Sequence, residues 1–482
     1  MTHRNIVPVL PGFWSDPTVC RTPDGFALAH SSFEYFPGAP VHQSADLVVW
    51  EQVGNVIDRP GQTDLMAGGA SSGIYGSTLR HHDGRFWFIT TNMNQVREGQ
   101  LLFTAETLEG PWSDPVRIPV VGIDPDIAWD GDGTCLVTWC GIPDGIQQVT
   151  IDPATGEVLG AARRLWNGTG MRNPEGPHLY RVGDWWYLLI AEGGTDRGHS
   201  VSVARGRSPL GPFEGNPANP ILTHRSTDHP VQSTGHADLV EGPDGEWFAV
   251  YHGTRPHGGF PEYHVLGREM FLSPVEWTDG WPVLVDPEED YEPRDNSFVD
   301  DFAGGLHPRW VSPSGDLRGV TTGAGGVELA AVEGARPLVV RVMDHEWQAT
   351  VEVEGTARLL VYLDDAHWYA VEASADEVSA VAQIGPVRQV LGSCPRPATP
   401  SVSLRLSVAI PDAVGGWPAS QPDLVTLSVL ADDGWETLAE IDGRYVSTEV
   451  AGGFTGRMVG VAAVEGTARC RRFTYGPQEV PA

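Results

Sequence analysis

Three carboxylates stand in short motifs of similar make-up: Gly12-Phe13-Trp14-Ser15-Asp16-Pro17, Gly122-Ile123-Asp124-Pro125-Asp126 and Asn173-Pro174-Glu175-Gly176-Pro177-His178. Each places an acidic side chain where Pro, Gly and small residues give way to an apolar run. Taken singly, Asp-Pro and Asn-Pro are ordinary turn starters, and an Asx side chain often caps its own turn. Brought together in a shielded pocket, the three acids could not all ionise at their ordinary pKa values. Repulsion and partial burial would raise one of them, leaving an acid beside a base at neutral pH. That pair is what cleavage of a glycosidic bond requires: one group to protonate the leaving oxygen, another to act on the opposite face of the sugar.

What could bring them together is a repeat. Counting back eight residues from Asp24, Asp132 and Asp244 in three Asp-Gly turns lands on Asp16, Asp124 and His236. The same count from Asp83 lands on Tyr75, and from Gly183 of a Val-Gly-Asp turn on Glu175. An apolar strand enters each turn and a second strand leaves it, as in Phe86-Trp87-Phe88 and Trp185-Trp186-Tyr187. Asp-Gly between such runs is a strong hairpin signal, because a type I′ turn needs positive φ at both central residues. Further strands are expected at Leu47-Val48-Val49-Trp50-Glu51 and Pro274-Val275-Glu276-Trp277. The turns recur at intervals of about fifty to sixty residues, the length of a four-stranded unit. Residues 1–294 therefore read as a five-bladed β-propeller. Its inner strands line one axis, so equivalent positions converge at one end of it.

Composition sets the class and excludes others. Gly 58, Pro 39 and Trp 17 in 482 residues describe a turn-rich, aromatic, all-β chain. A net charge of −32 argues against nucleic acid or anionic lipid as partner, since both need a cationic surface, and points to a neutral substrate. The acidity itself reads as a solubility feature. No run of 18 apolar residues marks a membrane span, and the first residues lack the apolar core of a secretory signal. Cys20, Cys135, Cys140, Cys394 and Cys470 form no Cys-x-x-Cys pair and leave an odd one, which fits reduced thiols in a cytoplasmic protein. The acidic group Asp126, Asp130 and Asp132 lacks the Gly and closing Glu of an EF-hand loop and reads as solvated turn residues. Neither a Gly-x-Ser-x-Gly elbow, nor a phosphate loop, nor a His-Glu-x-x-His motif is present.

The stretch Asp286–Asn296 is charged, broken twice by Pro, and offers no apolar face. Beyond it come alternating or apolar runs of strand length at 347–353, 359–363, 402–408, 424–429 and 458–461. These read as an antiparallel, concanavalin-like β-sandwich over residues 297–482.

On its three motifs and their order the chain resembles glycoside hydrolase family 43, in the group of β-xylosidases and α-L-arabinofuranosidases that carries a C-terminal β-sandwich. The resemblance implies Asp16 as the general base that activates water and Glu175 as the general acid. It implies Asp124 as the group that tunes and orients the acid, in an inverting single displacement. By the same resemblance Phe33, in Ser31-Ser32-Phe33-Glu34-Tyr35-Phe36, walls the sugar pocket, and Arg268, in Leu266-Gly267-Arg268-Glu269, bonds the sugar hydroxyls. His236, in Ser233-Thr234-Gly235-His236-Ala237-Asp238, falls on the channel axis, where some members hold Ca²⁺ or water. One departure stands out: the second blade of the family usually presents Trp-Ala-Pro, and here reads Ile74-Tyr75-Gly76-Ser77. Tyr75 keeps an aromatic wall but adds a hydroxyl, and Gly76-Ser77 would loosen the backbone. The group's sandwich packs on the propeller and closes the site into a pocket. That implies exo action on small oligosaccharides, with no required cofactor and with self-association left open. Two other classes stay in view. A non-catalytic sugar-binding propeller would have no reason to keep three acids. The retaining fructosidases carry Asn-Asp-Pro-Asn and Glu-Cys motifs that this sequence lacks.

Overall fold

The computed structural model describes residues 3–313, 315–323, 325–411 and 421–477. By its contacts the chain divides into two compact units. The first comprises Met1–Leu10, Trp14–Arg255 and Glu269–Pro293, and the second Pro11–Phe13, Pro256–Arg268 and Arg294–Ala482.

Among the described residues the first unit holds five four-stranded antiparallel sheets, each built from four strands in chain order. Their first strands are Thr18–Thr22, Ile74–His82, Ile123–Trp129, Glu175–Val182 and Gln232–Glu241. Each of these lies against the first strand of the next blade, and the fifth lies against the first, so the ring is closed. Between blades the sheet faces are apolar. Ile89 and Leu102 meet Val137 and Val149 between blades two and three, and Leu189 and Val203 meet Ala249, Tyr251 and Phe271 between blades four and five. The N-terminal residues are tied to the fifth blade. Leu10 bridges Met270, and the Asn5 amide donates to the Tyr251 hydroxyl at 2.8 Å and to Ser273 Oγ at 2.9 Å.

One expected strand is a turn. Leu47–Trp50 is apolar, but Asp46 Oδ1 accepts the N–H groups of Val48 and Val49, and Leu47 has a φ of 65°. This local Asx cap outcompetes strand pairing, and the fourth strand of blade one is Glu51–Ile57.

The second unit is organised by two long strands, Trp347–Asp364 and Met458–Gly476, which pair with each other along most of their length. The runs 347–353 and 359–363, read separately in the sequence, are one strand, bent where its register shifts around Gly355 (φ 82°). Its first half pairs with Val402–Ala409 and its second with His367–Ala373, so one strand serves both layers. Leu359, Val361, Tyr369 and Val371 face Leu404, Leu406, Val425 and Leu427 in the core. Tyr263, Val265 and Leu266, from the segment between the second and third strands of blade five, belong to that same core. The Tyr263 hydroxyl donates to Asp423 Oδ1 at 2.6 Å and accepts the Asp423 N–H at 2.8 Å. The Arg457 N–H donates to the Val265 carbonyl at 2.8 Å. Burial would raise the Asp423 carboxyl, but the paired Arg457 guanidinium holds it far below the usual carboxylate range.

Candidate active site

The site is made by a repeated backbone irregularity. Asp16, Asp124, Gly176 and His236 all have left-handed φ, at 53°, 53°, 55° and 47°. Asp, Asn and His tolerate that region best among residues with a Cβ. Register breaks fall at the same end of the inner strands of blades two to five, between Ile74 and Ser77, Ile123 and Asp126, Glu175 and His178, and Gln232 and Asp238. Such bulges re-aim side chains at the ends of strands. In blade four the left-handed residue is Gly176, so Glu175 stands one residue before the position held by Asp16, Asp124 and His236.

His236 is the hub on which these residues meet. Its Nδ1 lies 3.4 Å from Asp16 Oδ1. A Cβ on Gly176 would be 2.9 Å from its Nε2, so only glycine lets the backbone beside Glu175 come this close. Asp124 Oδ2 accepts the Gly176 N–H at 3.2 Å, which brings Asp124 to the residue next to Glu175. Burial pushes the Cys140 thiol well above its ordinary value, and the charges of both Asp124 and Glu175 add to that rise, so the two carboxylates act on one spot. Gly76 closes the set: a Cβ there would lie 2.5 Å from Asp124 Oδ1 and 3.0 Å from His236 Cε1. Far from loosening the second blade, Gly76 is the close approach that lets Asp124 reach the axis.

Asp16 and Asp124 are nearly buried, at 5% and 7% exposure, and Glu175 is half-buried. Ser31 Oγ donates to Asp16 Oδ2 at 2.6 Å. The Asp16 N–H donates to His252 Nδ1 at 3.0 Å. Neither Ser31 nor His252 carried a signal in the eight-residue count, because they sit on the strand-end loop of blade one and on the second strand of blade five.

The remaining candidates divide. Phe33 (φ 50°) bridges Ile74 through its backbone, and its ring meets Tyr75 edge-on at 5.4 Å. The Tyr75 hydroxyl donates to the Ser71 carbonyl at 3.0 Å. Tyr35 and Phe36 are buried in the blade. Arg268 lies in the Pro256–Arg268 segment of the second unit, buried, with its guanidinium 5.4 Å from the centre of the Phe454 ring. Its neighbour Glu269 instead takes a bidentate pair from Arg255 at 2.7 and 2.8 Å. Among the described residues no three His, Cys, Asp or Glu are placed to hold a metal ion.

Beneath the site lies a polar layer that sequence reasoning missed. Asp126, read as a solvated turn residue, is fully buried, whereas Asp130 and Asp132 do cap an exposed turn. Arg80 reaches Asp126 Oδ1 at 3.3 Å and Asp238 Oδ2 at 2.8 Å, tying blades two, three and five. Asp238 also accepts from the Thr18 hydroxyl at 2.7 Å and from Tyr180. Burial acts to raise the Asp238 carboxyl, but Arg80 and His178 hold it well below the usual range. A carboxyl so depressed stabilises the fold above its unfolded value near pH ~4 and loses that contribution as pH falls through its folded value. Arg80→Met leaves two buried carboxylates without their cation. It should cost about 3–5 kcal/mol at pH 7 and be relieved, not worsened, on acidification towards pH ~5, because without Arg80 burial raises the Asp238 carboxyl. Thermal melts from pH 5 to 8 check this, and a variant melting like the parent throughout would contradict it.

Comparison with known proteins gives concordant matches. The family model described as Glycosyl hydrolases family 43 matches residues 6–282. A Beta xylosidase C-terminal Concanavalin A-like domain matches residues 324–474. The chain is 44% identical over 285 residues to a Non-reducing end alpha-L-arabinofuranosidase of Bacteroides ovatus, covering 58% of this chain and 53% of that protein. It is 42% identical over 293 residues to a Xylosidase/arabinosidase of Butyrivibrio fibrisolvens, covering 58% and 56%. These matches thus span about half the length of the curated relatives. A solved structure, described as Bacteroides ovatus Xyloglucan PUL GH43B, superposes with a TM-score of 0.87 at 32% identity over 99% of this chain and 100% of that one.

Proposed function

The chain belongs to glycosyl hydrolases family 43, and from that premise we propose that it releases terminal pentose, β-D-xylose or α-L-arabinofuranose, from small plant-derived oligosaccharides with inversion. Asp16 is the general base, Glu175 the general acid, and Asp124 the group that orients and tunes the acid. The observation that carries this reading is the meeting of Asp16, Asp124 and the Glu175-Gly176 backbone around one histidine. A binding module gains nothing from crowding carboxylates, whereas single displacement needs an acid and a base on opposite faces of the sugar.

Phe33 and Tyr75 supply apolar walls for a sugar ring, and His236 a hydroxyl contact. The chemistry is acid–base throughout and asks for no cofactor. A net charge of −32 suits a neutral saccharide and disfavours nucleic acid and anionic membrane. An intracellular setting completes the reading, and fractionation of the producing cells tests it. Purified protein should turn over nitrophenyl β-D-xylopyranoside, nitrophenyl α-L-arabinofuranoside or both, and leave β-fructosides intact. Fructoside cleavage with no pentoside turnover would favour the fructosidase class, and sugar binding without any turnover a lectin-like propeller.

A further inference from the structure

We propose that His252 is a positioning residue for the base: a neutral imidazole whose Nδ1, by accepting the Asp16 N–H, holds that residue in the left-handed conformation that aims its carboxylate. This rests on reading Asp16 as the general base. A left-handed aspartate lies above its favoured extended and helical conformations, so its neighbours must hold it there. Ser31 does part of this, its N–H donating to the Ser15 carbonyl at 3.1 Å and its hydroxyl to Asp16 Oδ2 at 2.6 Å. The backbone N–H of Asp16 is held from another blade, by His252 Nδ1 at 3.0 Å in a fully buried contact.

That hydrogen bond fixes the chemistry of the ring. A nitrogen that accepts an amide N–H carries no proton, so the proton of His252 is on Nε2 and the ring is uncharged. The same Nδ1 is 3.3 Å from Asp16 Oδ1. With its lone pair turned to the amide, it gives the carboxylate no proton.

The ring is itself fixed. His252 lies on the strand Trp247–Thr254, opposite Gly235. His199 stacks on it, with centroids 5.2 Å apart and planes 13° from parallel. A Cβ on Gly235 would lie 2.0 Å from His199 Cδ2, so that glycine makes the room in which the stack forms. Residues of three blades, Asp16, His199 and His252, thus set one carboxylate. A buried histidine kept only for packing would need neither the acceptor geometry nor a defined tautomer.

His252→Leu removes the acceptor. Its expected effect is a fall in kcat of about 100-fold, the size associated with misplacing a catalytic group by an ångström or so, with KM changed less than about 3-fold. His252→Asn can set a carbonyl oxygen where Nδ1 stood and should recover kcat to within about 10-fold of the parent, since the held geometry returns. Histidine ¹⁵N spectra of parent and Asn variant, compared at neutral pH, should show that the missing ring is protonated on Nε2 alone. A folded Leu variant with parental kcat would overturn the proposal, as would an Asn variant as impaired as Leu, or a missing ring protonated on Nδ1. Should Leu fail to fold, the Asn variant and the spectra decide. The tautomer is read without turnover, and the parent's pentoside activity and Asp16→Ala test the base assignment separately, so the two failures are distinguishable.

Discussion

Asp16→Ala should lose turnover by about 10⁴-fold on every pentoside, whatever the leaving group, because it removes the proposed base for the attacking water. Glu175→Ala should behave differently. Protonation matters only where the departing oxygen is a poor leaving group, so xylobiose hydrolysis should fall by about 10³-fold or more while an activated aryl xyloside falls far less. This split separates the two carboxylates by role, which their similar motifs cannot do. It also accords with their surroundings. Asp16 is nearly buried, with one oxygen bonded to Ser31, as suits a fixed base. Glu175 is half-buried at the start of its strand, beside the N–H that Asp124 accepts. Near-parental turnover in Asp16→Ala, or equal losses on both substrate types in Glu175→Ala, would contradict the assignment.

A chain ending at residue 296 should be insoluble or inactive, not an enzyme weakened only on polymer. The segment Pro256–Arg268 leaves and re-enters the fifth blade, its base closed by the Arg255–Glu269 pair. Its side chains, however, belong to the second unit. Tyr263, Val265 and Leu266 are 3%, 3% and 2% exposed within that core. Truncation strips each of a burial worth about 1.5–3 kcal/mol. It also removes Asp423 from the Tyr263 hydroxyl, Arg457 from the Val265 carbonyl and Glu449 from His264. Arg268, in the same segment, would lose the Phe454 ring. Soluble yield and xyloside turnover of the 1–296 fragment measure this directly. A soluble fragment with full activity on small pentosides and a loss confined to xylan would make the sandwich a polymer anchor and refute the account.

Much of the site was legible in the sequence because strand register converts counting into geometry. Hairpin turns fix the phase of each inner strand, so eight residues back from Asp24, Asp132 and Asp244 do land on three left-handed residues, Asp16, Asp124 and His236. Blade four obeyed the count only from Gly183, because its left-handed residue is Gly176 and Glu175 precedes it. What stayed hidden depends on contacts between distant segments. Asp126, unlike Asp130 and Asp132, is buried on its strand with Arg80 beside it, and nothing local marks that pairing. His252 lies in an apolar strand like many a core residue, and its role appears only with Asp16 folded against it. Leu47–Trp50 shows the converse, a local cap from Asp46 defeating an apolar pattern. The 256–268 segment lies between two good strands, and no periodicity says which core it joins.

The most direct test of the central claim follows the anomeric form of the first product. Xylobiose or an aryl β-D-xyloside, incubated with enough enzyme to outrun mutarotation and watched by ¹H NMR, should yield α-D-xylose first, with the β form growing in only later. That outcome requires water to attack the face opposite the protonated leaving oxygen, the roles proposed for Asp16 and Glu175. Release of β-D-xylose first would mean a covalent glycosyl-enzyme and would contradict the account at its base.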